Sequence, residues 1–297
     1  MPKETIERLN EIIEVQNIDF LHAQPDVALE FVSKNRNALN CKTFLPREET
    51  VEICQDKYRT YNKWKKAGIK VPETIKIASG SELEQALNKI PHAWFRKSKG
   101  AFGKGSIPLD NSKEAIDLGK AWMKYWGSDG NFILSERLDP NKTITWSAIF
   151  KDGQLIVAQT RERLSWEFGN RTVSGVTGLT GVAKTVSDKS FDVLAEKAIF
   201  AIDSNPNGIF SLDCTYDANQ LPNPTEINIG RFFTTIDFFT KAGLNMPYIF
   251  VKTAYNEPIE DIARVWINYP KKINPIPDGY YWIRGMDIEP KLIKGEI

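Results

Sequence analysis

The sequence predicts a mixed α+β or α/β enzyme rather than a helical bundle or a β-sandwich. Three observations point there. Amphipathic helical segments alternate with short strands along most of the chain. A strong two-residue hairpin signal, Asp152-Gly153, sits mid-chain. The length of 297 residues suffices for two or three lobes with a sizeable core.

The elements follow in order. Residues 3–16 read as an amphipathic helix and residues 17–21 as a short strand. Residues 26–39 have helical spacing, with Val27, Leu29, Phe31 and Val32 on or near one stripe. Residues 42–45 read as another strand. Residues 49–67 read as helical, stopping at Gly68, with Asp56 able to cap a helix start at Lys57. Val71-Pro72 opens an extended segment to Ala78. A capped helix over 81–90 precedes a strand over 93–97 and a Gly-rich loop over 99–106. A helix over 112–126 and a strand over 132–138 come next. The hairpin spans 143–160, and a polar, Gly-rich stretch runs from 165 to 181. A helix over 188–202 leads to two strands carrying SLDCTYD (211–217) and TEINIGRF (225–232). From Ala254 onward, Pro, Tyr and Trp are frequent and an irregular tail is expected.

Composition excludes several classes. A formal net charge of +1 points neither to nucleic acid nor to a membrane surface. No apolar run approaches a membrane span, and the N-terminus does not resemble a signal peptide. Cys41, Cys54 and Cys214 lie far apart, so a reducing cytoplasm is the expected compartment. His22 and His92 are the only histidines, which disfavours a His-based triad or metal site. Chemistry driven by metal and cationic side chains fits better.

The residues that carry such chemistry are clustered. Alternation puts Glu226 and Asn228 on one strand face, next to Asp213 on the preceding strand. Two carboxylates and an amide oxygen form a hard ligand set suited to Mg2+ or Mn2+. Arg231 lies three residues past Asn228. Arg96, Lys97, Lys99 and Lys104 flank a loop containing Gly100, Gly103 and Gly105 and ending at Ser106. Glycines let backbone N–H groups turn towards an anion. The order of residues there is neither a Walker A loop nor GxGxxG. A lysine in a first helical turn, as at Lys57, opposes the helix dipole and so hints at a role other than stability. Glu136 and Leu138 end an apolar strand, where backbone groups and a carboxylate can meet an adenine ring. Each piece taken singly also reads as solvated surface.

Their order is specific. DK (56–57) precedes GIKVPET (68–74), the basic Gly loop, ILSERL (133–138), a hairpin, and then D…E-x-N…R. In this order the chain resembles the ATP-grasp superfamily, and within it carboxylate–amine ligases related to the large chain of carbamoyl phosphate synthase. The resemblance covers roughly residues 17–250.

The resemblance implies two α+β lobes holding ATP between them. It divides the chain into a shortened α/β domain (1–50), a small lobe with the Gly loop (51–130) and a C-terminal lobe with the metal site (131–297). Lys57 and Arg96 match positions that bind ATP phosphates. Lys99, Gly100, Gly103, Lys104, Gly105 and Ser106 match the phosphate-covering loop, with Lys97 replacing its usual Pro and Phe102 one of its glycines. Glu136 and Leu138 match the adenine hinge, while Thr143 stands where an acidic residue usually holds the ribose. Asp213, Glu226 and Asn228 match the ligands of Mg2+ (or Mn2+). Arg231 stands one position later than the usual Arg, with Gly230 able to kink the strand.

The implied activity is ATP-dependent activation of a carboxylate (or bicarbonate) as an acyl phosphate, followed by attack of an amine. Lys57, Arg96 and Arg231 would act catalytically. Arg231, and alternatively Arg161 and Arg163, would hold the substrate carboxylate; those two read equally well as a solvent-facing strand edge. Two alternatives are an ATP-grasp kinase, which leaves a stable phosphorylated product, and a nucleotide-binding subunit that binds without turnover. The apolar helix stripe at Ala28, Phe31 and Val32 predicts a two-fold homodimer through residues 1–50. The alternative is that the helices fold back to cap the region within one chain.

Overall fold

Two antiparallel sheets organise the chain. The computed structural model describes residues 2–100, 103, 105–127, 131–264 and 270–295. The N-terminal region holds α1 (Pro2–Val15) and α2 (Asp26–Asn35), the latter followed by a 3₁₀ turn at Arg36–Ala38. The two strands expected at 17–21 and 42–45 reduce to one parallel bridge, Phe20 to Lys42. Segments this short, with no third strand beside them, do not propagate a ladder. The helices carry the region instead. Ile13, Leu29 and Val32 join the core beneath the larger sheet. Of the stripe behind the homodimer expectation, Val32 is buried in that core and Ala28 and Phe31 pack against it half-buried.

The expected helix over 49–67 is two helices, α3 (Glu48–Gln55) and α4 (Lys57–Lys66). Asp56 interrupts it at φ −109°, ψ 103°, and its side chain accepts from the Tyr58 and Arg59 amides. An Asp that bonds the next turn's N–H groups competes with helix continuation. Ser98 Oγ also donates to Asp56, and the Lys57 amide donates to the Ser98 carbonyl at 3.0 Å. The start of α4 is thereby fixed to the end of a strand in the smaller sheet.

That sheet contains β1 (Thr74–Ile77), β2 (His92–Lys97), β3 (Ile107–Asp110) and β4 (Phe132–Glu136), in the order β1-β4-β2-β3. Two helices cover it, α5 (Gly80–Lys89) and α6 (Lys113–Trp126), capped by Ser79 and Ser112. Leu83, Leu87, Phe95 and Phe132 are fully buried between the layers.

The larger sheet has seven strands. They are β5 (Asp139–Lys151), β6 (Gln154–Trp166), β7 (Thr180–Thr185), β8 (Gly208–Tyr216), β9 (Pro222–Ile229), β10 (Tyr280–Ile283) and β11 (Lys291–Lys294). Their order is β11-β10-β7-β6-β5-β8-β9. The β5–β6 hairpin turns at Asp152 (φ 47°) and Gly153 (φ 76°), the two positive angles of a type I′ turn. One face packs on α7 (Lys189–Phe200) through Trp146, Phe150 and Phe210. The opposite face packs through Ile149, Val157 and Ile209 on α8 (Asp237–Lys241) and α9 (Met246–Ala254); α10 (Glu260–Ala263) lies beyond them.

The expected irregular tail is corrected here. Residues 280–283 and 291–294 are the two outer strands of the large sheet, and Trp282 is buried against Phe238. The run Tyr-Tyr-Trp-Ile is a strong strand former, but its shortness and the Pro- and Gly-rich flanks mask the signal. Among the described residues no helix is long and apolar enough to cross a membrane.

Candidate active site

The face of the large sheet that packs on α8 and α9 turns polar towards the other end of its strands. Register explains the change. Arg161 on β6 pairs with Thr145 on β5, Thr145 with Asp213 on β8, and Asp213 with Glu226 on β9. Four successive strands thus present one row of charged and hydroxyl side chains. Flanking rows add Arg163 opposite Thr143, and Ser147 opposite Ser211 opposite Asn228. The same parity that directs Ile149, Val157 and Ile209 into apolar packing directs these residues, Ser147 excepted, into a cavity of about 210 Å³ between the two sheets.

The small sheet supplies the roof. Trp94 and Arg96, two apart on β2, both line the cavity. Arg96 Nη1 stands 3.8 Å from Glu226, and its Nη2 donates to the Thr225 carbonyl at 3.3 Å. Lys57, tied down by the Asp56–Ser98 junction, approaches Glu226 to 3.3 Å and donates to the Gly100 carbonyl at 2.7 Å. One lysine thus touches the glycine loop and the large sheet together. Burial alone would raise the Glu226 carboxyl, but Lys57 and Arg96 outweigh it and hold it below its ordinary value. Burial also lowers the Arg96 guanidinium, with Glu226 opposing.

Asp213 is held by Thr145, whose hydroxyl donates at 2.6 Å, and by the Asn228 amide at 2.9 Å. Asn228 Oδ1 in turn accepts from Arg231 at 2.5 Å. Arg231 reaches this place because β9 ends at Ile229 and Gly230 turns at φ 64°. A Cβ on Gly230 would lie 2.9 Å from Leu29, so both the angle and the space require glycine. Arg231 Nε donates to Asp26 at 2.6 Å, fixing it from α2.

Lys57, Arg96, Gly100, Gly103, Ser106, Glu136, Leu138, Asp213, Glu226, Asn228 and Arg231 all line the one cavity. Lys99 is exposed and is not among the lining residues. Gly105 is not among them either; its carbonyl accepts from Trp122, and it packs on Trp126. Lys104 lies outside the described residues. Thr143, at the ribose position, is buried and its hydroxyl accepts from Arg163.

Arg161 and Arg163 are a correction to the strand-edge alternative. They sit on a central strand and are 3 % and 8 % exposed. Their i, i+2 spacing in TRER was the available signal. Burial, reinforced by repulsion from Arg163, pushes the Arg161 guanidinium down to about 9. Thr145, Thr180 and Asp26 gave no local signal; only the fold brings Asp26 to Arg231.

The donor set suits a hard divalent cation. Asp213 and Glu226 face each other across β8 and β9 and supply carboxylate oxygens. Among the described residues no group of three His, Cys, Asp or Glu side chains gathers here, and the Asn228 amide oxygen expected as a third ligand accepts from Arg231.

No family model matches the sequence, and no curated protein matches it. Solved structures match it by shape. The biotin carboxylase domain of Hydrogenobacter thermophilus 2-oxoglutarate carboxylase superposes with a TM-score of 0.73 at 15% identity, covering 94% of this chain. L-amino acid ligase from Bacillus licheniformis gives 0.68 at 14% identity over 95% of the chain. Carboxyaminoimidazole ribonucleotide synthase from Aspergillus clavatus gives 0.67 at 13% identity over 93%. The chain has the ATP-grasp fold. It spans 60% of the carboxylase domain, 65% of the amino acid ligase and 68% of the synthase. The four-stranded and the seven-stranded sheet both contribute to the cavity.

Proposed function

We propose that this protein is an ATP-dependent ligase that activates a carboxylate and joins it to an amine or another nucleophile. ATP is consumed as a substrate. One carboxylate oxygen attacks the γ-phosphorus, the bond to the β–γ bridging oxygen breaks, and ADP leaves with the electron pair. The nucleophile then adds to the acyl phosphate carbonyl, and phosphate departs as the C–N bond forms.

The observation that carries this reading is the convergence on Glu226. Lys57 and Arg96, from the small-lobe side, meet the carboxylate row of the large sheet at 3.3 and 3.8 Å. Cations poised this way suit the phosphates of a nucleotide lying between the sheets. Lys57 and Arg96 orient the β- and γ-phosphates. The backbone at Gly100 and Gly103 covers them, and Glu136 and Leu138 meet the base. Arg231, braced by Asp26, offsets charge that develops beyond Asn228. Asp213, Glu226 and Asn228 would hold Mg2+ or Mn2+, which when bound supplies charge neutralisation for the phosphates. The solved structures that share the fold support the reading. One is described with MgADP and bicarbonate, one with ATP, and one is named as an amino acid ligase.

ADP and phosphate release tests it, screened over small acids paired with amines. The expected result is release that requires an acid and a nucleophile together. A stable phosphorylated product from a hydroxyl compound, or MgATP binding without turnover on any pair, would overturn it.

A further inference from the structure

Charge pairing in the cavity is uneven. Lys57 and Arg96 share Glu226, and Arg231 has Asp26. Arg163 has Asp213 only at the limit of ion-pair distance, 4.0 Å, and Arg161 has no carboxylate of its own among the described residues. Their hydrogen bonds go to hydroxyls. Thr180 accepts from Arg161 Nη1 at 3.3 Å and from Arg163 Nε at 3.0 Å, and Thr143 accepts from Arg163 Nη1 at 3.1 Å. Each guanidinium is stacked on a ring, Arg161 on Phe233 at 4.2 Å and Arg163 on Trp166 at 3.8 Å. Stacking fixes the two planes and contributes attraction, but it neutralises no charge. Two adjacent buried cations left in this state are stabilised by an incoming anion.

The free edges define which anion. Arg161 Nε is buried and bonds nothing among the described residues, and Nη2 has no partner there either. Nε and Nη2 lie along one side of the guanidinium, and that edge matches the two oxygens of a carboxylate. The surroundings define what the carboxylate is attached to. Phe233 and Trp166 line the cavity beside the pair, and Val176 lines it as well. Bicarbonate has no apolar part to place against them, whereas an organic acid has. Arg161 opens into the same cavity as Lys57 and Arg96, in the cross-strand row that carries Asp213 two strands away and Glu226 three.

We propose that the Nε–Nη2 edge of Arg161, with Arg163 beside it, binds the carboxylate that the enzyme activates, and that this substrate is an organic acid with an apolar or aromatic body rather than bicarbonate. The inference rests on the ligase reading.

The test is calorimetric titration of MgADP-saturated protein with propionate, 3-methylbutyrate, benzoate and 3-phenylpropionate, and separately with bicarbonate in carbonate-depleted buffer. At least one organic acid binds, and bicarbonate does not compete with it. Arg161→Lys keeps the charge but loses the fork, and it weakens that acid at least about tenfold while MgADP affinity is retained. Retained MgADP affinity also shows that the variant is folded, and Arg163→Lys, with an intact Arg161 edge, weakens the acid less. Three results overturn the assignment while leaving the ligase reading standing. They are binding or turnover with bicarbonate alone, no binding by any of the organic acids, and equal loss of acid and MgADP affinity in Arg161→Lys. Failure of the unaltered protein to bind MgADP sinks the ligase reading, and this proposal with it.

Discussion

Glu226→Gln probes the site at its centre. The carboxylate lies 3.3 Å from Lys57 and 3.8 Å from Arg96. With an effective dielectric of ~20, the gross attractions are about 5 and about 4 kcal/mol. Desolvation offsets much of this, and the side chain is 31% exposed, so the net is far smaller. Glutamine keeps the shape and removes the charge. Two opposite effects follow. Lys57 and Arg96 are no longer held by a carboxylate, so metal-free ADP binds at least as tightly as before. The carboxylate assigned to Mg2+ is gone, so the gain in affinity that Mg2+ brings shrinks. If one charge-assisted contact of about 1.5–3 kcal/mol is lost, that gain falls about 10- to 150-fold. Turnover is nearly abolished while the fold survives. Calorimetry with ADP and MgADP, beside an ADP-release assay, reads all three. Near-normal turnover at saturating MgATP, or an unchanged Mg2+ effect, would refute the assignment.

Other consequences are equally specific. Arg96→Ala weakens binding of a non-hydrolysable ATP analogue by about 1.5–3 kcal/mol in calorimetric titration, since it removes one charge-assisted contact. Unchanged affinity would return Arg96 to a structural role. Gly230→Ala meets both a positive φ of 64° and Leu29 at 2.9 Å, and lowers the unfolding free energy measured by denaturant titration by about 1–3 kcal/mol. Because Glu226 is held below its ordinary value, its contribution to stability is present above the unfolded pKa of about 4.3 and is lost as pH falls through the lower folded value. Glu226→Gln therefore flattens the acid limb of the stability profile. Amides of Gly100, Gly103 and Gly105 gain hydrogen-exchange protection on adding MgADP, and equal protection with and without it would argue against nucleotide contact at the loop.

The legible parts of the sequence were those with local causes. Alternation placed Glu226 and Asn228 on one face, Asp152-Gly153 marked the hairpin, and Asp56 announced a helix start. The order of the motifs then indicated the fold, although no single motif was specific. The illegible parts depend on distant pairing. Strand signals at 17–21 and 42–45 had no neighbours with which to form a ladder, and only the folded chain reveals that. The short strand at 280–283 acquires its identity from β7, roughly a hundred residues earlier, and the strand at 291–294 pairs in turn with it. TRER offered two arginines on one face, but a central strand and an edge strand look alike until strand order is known. Asp26 bracing Arg231 is a contact across 205 positions, with nothing local to predict it.

The central claim is that a metal–nucleotide complex lies between the two sheets, with its metal at the β8–β9 carboxylates. Crystals grown with MnADP, with anomalous diffraction measured at the manganese edge, test it most directly. The expected result is an anomalous peak bound by Asp213 and Glu226, with the ADP phosphates against Lys57 and Arg96. A nucleotide bound elsewhere, or a peak away from both carboxylates, would contradict it.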